Sequence, residues 1–136
     1  MMNRRRFLAS SLLAPLAPTG LWAEASERKI GFILVGVSWC GACKTAAPVL
    51  SLFCERRDIS CVYAAPDQTP ISPFSTYLDA RGHPLMETVK YYPTTLLYSA
   101  RADAVIAQIS GFKNMPFYRS QLEALVELAV RAKHVG

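Results

Sequence analysis

The chain has 136 residues, 51% of them hydrophobic, and a formal charge of +5. That length suits one domain, and the apolar content argues for a packed core and against a disordered chain. No basic stripe or aromatic-interleaved basic run occurs, so nucleic acid is discounted as a partner.

Met1 to Ala25 has the order of an export signal: Arg4-Arg5-Arg6, a mostly apolar run from Phe7 to Leu21, and Ala23-Glu24-Ala25. Cleavage is expected after Ala25, with Ala23 as the alternative. The apolar run is shorter than the ~20 residues a spanning helix needs, and Pro15 and Pro18 interrupt it, so an anchor is the weaker reading. Arg4-Arg5-Arg6-Phe7-Leu8 resembles the core of a twin-arginine signal, although Asn3 and Ala9 depart from the usual neighbours. The alternative is an ordinary secretion signal. Its removal takes away three Arg and one Glu and leaves +3 on residues 26–136, the single remaining domain. The expected compartment is a bacterial periplasm, where cysteine pairs persist as disulfides.

Lys29 to Ser38 is nearly all apolar, which predicts a central strand covered on both faces. A helix is expected from about Cys43 to Arg57, with Ala46, Val49, Leu50, Phe53 and Cys54 on one face and a kink at Pro48. Ile59 to Ala65 reads as a second strand and residues 66–70 as a loop. Ser72-Pro73 reads as a cap and first position of a helix running to about Ala80 and ending at Gly82. Arg81 to Tyr92 is ambiguous. Thr94–Ser99 and Val105–Ser110 read as a hairpin turned at residues 100–103. A last helix is expected from Pro116 to Lys133, with Tyr118, Leu122, Leu125, Val126 and Ala129 inward. Alternating strands and helices followed by a hairpin predict an α/β domain, a mixed sheet with helices on both faces.

Trp39-Cys40-Gly41-Ala42-Cys43-Lys44 falls at the first strand-to-helix junction. Two cysteines three apart face each other across one helical turn and can switch between dithiol and disulfide with little backbone movement. That arrangement is expected of a thiol–disulfide redox centre. An inert disulfide or half of a zinc site are the alternatives, but no second C-x-x-C or paired His accompanies it, so no metal is expected.

With this hexapeptide, Pro48 in the following helix, Tyr92-Pro93-Thr94 before a strand and Gly111 before the last helix, the chain resembles the thioredoxin superfamily over residues 28–133. The resemblance implies a thioredoxin-like fold, a central mixed β-sheet flanked by helices. It implies protein-disulfide oxidoreductase activity without a cofactor, and a cis bond before Pro93 that packs against the cysteine pair. Two departures stand out. The family's buried acid, six residues before the first cysteine, is replaced by Leu34, so either another group or water assists the second cysteine or the reaction is slower. The dipeptide between the cysteines is Gly-Ala rather than Gly-Pro, so strength as a reductant does not carry over.

Cys40 is expected at the helix N-terminus, where free N–H groups and the dipole favour negative charge on sulfur. It would act as nucleophile on a substrate disulfide, and the more buried Cys43 would resolve the mixed disulfide. Trp39 is expected to cover the site, against a core position. A cis Pro93 would turn the Tyr92 backbone toward an extended substrate, and the Tyr92 side chain would select substrate or simply pack. Lys44 adds a weak positive field or is merely solvated. Cys54 and Cys61 could close a structural disulfide, remain buried thiols, or pass electrons as a second pair. His83 would lie near the active face or in an exposed loop, the second being preferred.

The leading expectation is a periplasmic oxidoreductase acting on exported protein thiols and disulfides, a reductase in preference to an oxidase. It would be recycled by a membrane-embedded electron donor or acceptor and work as a monomer. A copper-handling assembly factor is the alternative, with His83, Met86 and Met115 as spare ligands that no local pattern ties to the cysteines. A redox-inert peptide-binding module is a third.

Overall fold

The computed structural model describes residues 29–134. The predicted signal and its cleavage sites lie outside them. The elements are β1 (Ile30–Val35), α1 (Gly41–Arg57), β2 (Ser60–Ala65), β3 (Leu78–Asp79), a 3₁₀ helix (Pro84–Thr88), β4 (Thr94–Ser99), β5 (Ala104–Ser110) and α2 (Met115–Arg131). They form a mixed five-stranded sheet in the order β3-β2-β1-β4-β5. β1 is central, parallel to β2 through pairs such as Leu34 with Tyr63, and antiparallel to β4 through pairs such as Leu34 with Thr95. The hairpin carries a bulge at Leu97/Tyr98, where Ile106 is the extra residue of β5.

Strand alternation divides the core. Ile30, Phe32 and Leu34 of β1, with Tyr63 and Leu97, face α1 and α2. Phe32 meets Phe53 of α1 edge-on at 6.1 Å, and Tyr118, Leu122, Val126 and Ala129 bring α2 into the same layer. Each fully buried Leu or Phe here contributes roughly 1.5–3 kcal/mol. On the opposite face Val35, Ala64 and Leu96 are covered by Leu85, Met86 and Val89 from the 3₁₀ segment.

Helix α1 starts two residues earlier than expected because the Cys40 side chain is its N-cap. It ends at Asp58, in the left-handed region (φ 56°), whose N–H reaches Cys54 and Glu55 carbonyls. Pro48 lies within this one continuous helix. β1 stops at Val35, short of the expected Ser38, because residues 37–40 turn back through a Cys40 N–H to Val37 carbonyl bond of 3.2 Å.

The expected helix at Ser72–Ala80 does not form. The segment is short and rich in Ser, Thr and Tyr, which have modest helix propensity. Its end instead pairs in parallel as β3 with Ala64 and Ala65, while the Phe74 ring stacks on Tyr63. Both α-helices therefore share one face, and the ambiguous segment 81–92 supplies the 3₁₀ cover of the other. His83 caps that short helix, its Nδ1 accepting the Leu85 N–H at 3.2 Å.

Candidate active site

The site lies where the end of β1 meets the start of α1. Cys40 is half-buried, and its sulfur accepts the Cys43 N–H at 3.1 Å, satisfying one donor the helix start leaves open. Its S–H points to the Tyr92 carbonyl at 3.8 Å. Cys43 is fully buried, and its side chain neighbours that of Cys40. Burial, then the Cys40 contact, push its thiol up to about 12, although the Val37 N–H works the other way. The two cysteines thus differ in access: Cys40 is half-buried, and Cys43 is enclosed.

The Tyr92-Pro93 bond is cis. Pro93 is buried, and its carbonyl accepts the Gly111 N–H at 2.7 Å, with Gly111 at φ 83°. That bond ties the start of β4 to the end of β5 and fixes the segment facing Cys40. Trp39 is 74% exposed, so it is not a core residue; its ring meets Tyr92 edge-on at 6.4 Å. Together Trp39 and Tyr92 make an aromatic rim beside the Cys40 sulfur. Lys44 is exposed.

Three residues at the site carried no signal in the sequence. Asp67, in the loop after β2, accepts both the Ser38 N–H and the Ser38 hydroxyl at 2.8 Å. Burial opposes its charge, but the Ser38 and Thr69 donors outweigh that and hold its carboxyl below the usual range. Gly36 presses against Cys43, and Tyr63 lies on the far side of the same point. Each becomes visible only when β1, β2 and the motif turn are brought together. Leu34, at the position of the missing acid, is completely buried and offers the pair no polar atom.

All four cysteines are free thiols. Cys54 and Cys61 are nonetheless neighbours, and the Cys61 thiol, then burial, raise the Cys54 thiol. Among the described residues no three His, Cys, Asp or Glu side chains group to hold a metal ion. His83 and Leu85 line a groove on the sheet face opposite α1 and α2, so His83 does not belong to the cysteine site.

Solved structures share this fold. The fold is similar to that of a protein assigned as the thiol:disulfide interchange protein DsbE of Chlorobium tepidum, with 21% identity, 82% of this chain and 84% of that one covered, and a TM-score of 0.56. The chain has a thioredoxin-like fold. Thioredoxin f of spinach chloroplast is similar at 21% identity, 85% and 86% coverage and a TM-score of 0.54. Chlamydomonas reinhardtii thioredoxin f2 follows at 19%, 85% and 90%, and 0.51. No family model and no curated protein sequence matches the chain. In this thioredoxin-like frame the cysteine pair sits at the sheet's end, and among the described residues no helix is long and apolar enough to cross a membrane.

Proposed function

We propose that this protein is a periplasmic thiol–disulfide oxidoreductase of exported proteins. One observation carries the reading: a half-buried Cys40 sulfur caps α1 by accepting the N–H of a fully buried Cys43. Cys40 attacks a substrate disulfide, and Cys43 then attacks Cys40 and releases the reduced substrate. The Tyr92 backbone, beside Cys40, receives the substrate as an added extended strand, and the Trp39–Tyr92 rim packs against it.

The reductive direction is part of the proposal, and the reduction potential of the Cys40/Cys43 pair measures it: a value near ~−270 mV fits a reductase and one near ~−120 mV an oxidase. A membrane-embedded donor would return electrons to the pair, and the domain would act as a monomer. The export reading rests on the Arg4–Leu8 and Ala23–Ala25 patterns. Cys54 and Cys61, which are neighbours, would close a structural disulfide in that oxidising compartment.

The test is a trap. Cys43→Ser should accumulate mixed disulfides between Cys40 and exported proteins, and the wild type should catalyse reduction of insulin. No trapped partner together with no insulin reduction would sink the proposal.

A further inference from the structure

Tyr63 is 1% exposed, and its ring stacks on Phe74 with centroids 5.6 Å apart. Its hydroxyl finds no hydrogen-bond partner among the described residues. Buried polar atoms are nearly always paired, so an orphan beside a reactive group calls for a reason. A Cβ built on Gly36 would lie 2.9 Å from the Cys43 sulfur and 3.4 Å from Tyr63 Cε1. The two side chains therefore flank one point at the end of β1. Among the charges the Tyr63 hydroxyl feels, Cys43 comes first, then Asp67 and Cys40.

The resolving step poses a problem that this geometry answers. Cys43 must become a thiolate while fully buried, against a disfavoured charge and beside an apolar Leu34. We propose that the Tyr63 hydroxyl is the hydrogen-bond donor that stabilises the Cys43 thiolate as it forms. A donor left unspent in the resting dithiol and engaged only when charge develops lowers the barrier rather than the ground state. Burial raises the Tyr63 phenol, so it stays protonated and able to donate.

The inference rests on the thiol–disulfide reading. In the step, Cys43 gives its proton to solvent, and its thiolate attacks the Cys40 sulfur of the mixed disulfide. The Cys40–Cys43 bond forms as the bond from Cys40 to the substrate sulfur breaks. The substrate sulfur leaves with the electron pair and takes a proton from solvent, so the substrate is reduced and the cysteine pair oxidised. Tyr63 keeps its proton throughout. The other titratable groups near the pair include Asp67 from the loop after β2, occupied by Ser38, Tyr118 from α2, whose hydroxyl is bonded to Thr95, Tyr92 on the Cys40 side, and the exposed Lys44 of α1.

Tyr63→Phe removes only the oxygen. With cysteine isotope-labelled in the Cys40→Ser background, the Cβ resonance of Cys43 reports its ionisation directly. The expected result is a titration moved up by about one unit in Tyr63→Phe, a roughly tenfold loss of thiolate at fixed pH. In the intact pair, 5,5′-dithiobis(2-nitrobenzoate) should release its first aryl thiolate at the wild-type rate and its second about tenfold more slowly. An unchanged titration with equal second-step rates, even with a raised Tm from loss of an orphan hydroxyl, would overturn the proposal. Both measurements read the pair itself, so a protein that reduces no protein disulfide would defeat the function proposed above and leave the Tyr63 result standing or falling by itself.

Discussion

Gly36 and Cys43 are packed so closely that no side chain fits between them: a Cβ at residue 36 would sit 2.9 Å from the Cys43 sulfur and 3.1 Å from its Cβ. The first of these is a separation that real Cβ atoms essentially never show, and Cys43 is a short side chain held inside the protein. Gly36→Ala should therefore push Cys43 or the start of α1 away. We expect a loss of about 1–3 kcal/mol in urea unfolding, the usual penalty of overpacking. We also expect slower resolution of the Cys40 mixed disulfide, because the attacking sulfur leaves its line. Unaltered stability and unaltered second-step kinetics would contradict the contact.

The Cys43 thiol also sets an alkaline limit. Its native value is raised from 9.0 to about 12, so the native state holds the proton more tightly than the unfolded chain. The stabilisation is complete below pH 9 and is lost as pH rises toward 12. Tyr63, Tyr118 and Cys54 are raised as well and act in the same direction, so wild type alone cannot isolate Cys43. The informative comparison is reduced wild type against Cys43→Ala. The stability of wild type should fall more steeply between pH 9 and 11 in urea titrations. Parallel curves would assign the alkaline loss to the other groups.

The contrast between Cys43 and Tyr63 shows what the chain discloses in one dimension. Trp39–Lys44, Pro48, the Tyr92–Thr94 run and Gly111 are local patterns, and they anticipate the cysteine pair, the mixed sheet and both long helices. Ser72-Pro73 is a plausible helix start, but Tyr63 offers Phe74 a stacking partner and Ala64 offers a strand edge, so residues 72–80 form no helix. Gly36, Tyr63 and Asp67 carry no local signature at all. Their roles come from β1 and β2 lying in parallel register, which sets Leu34 beside Tyr63 and brings the loop after β2 to the motif turn.

Trp39 separates binding from folding. It is 74% exposed and touches Tyr92 edge-on. Exposed aromatic pairs contribute about 0.5–1.5 kcal/mol beyond burial. Trp39→Ala should change unfolding stability by no more than about 1.5 kcal/mol. Its effect should fall on KM for protein disulfides, raised about tenfold, with attack on a small disulfide such as oxidised glutathione little altered. A large fall in Tm would instead make Trp39 a structural residue.

Asp67 fastens the motif turn through Ser38. Its carboxyl is held below the usual 3.8, so the native state favours the charged form. That contribution is present above pH 3.8 and is lost as pH falls through the lower native value. Asp67→Asn should lower stability at neutral pH and flatten the acid limb below pH 4. It should also loosen the turn that carries Trp39 and Cys40, seen as faster hydrogen exchange at the Ser38 amide. Retained protection at Ser38 would show that the backbone holds the turn without the carboxylate.

Cys54 and Cys61 face one another across the joint between the end of α1 and the start of β2. Cys61 is the more exposed of the two, so in exchange with a disulfide oxidant it should react first, and Cys54 should then displace the oxidant's second sulfur. The bridge would close a short loop, for which chain-entropy reasoning gives up to about 3 kcal/mol if the geometry is unstrained. In Cys40→Ser/Cys43→Ser, treatment with oxidised glutathione should remove both remaining thiols from maleimide labelling under denaturing conditions and raise Tm. A glutathione adduct stable at Cys61, with Cys54 still free, would mean that the two sulfurs touch without the alignment a disulfide requires, and that the pair serves the core as thiols.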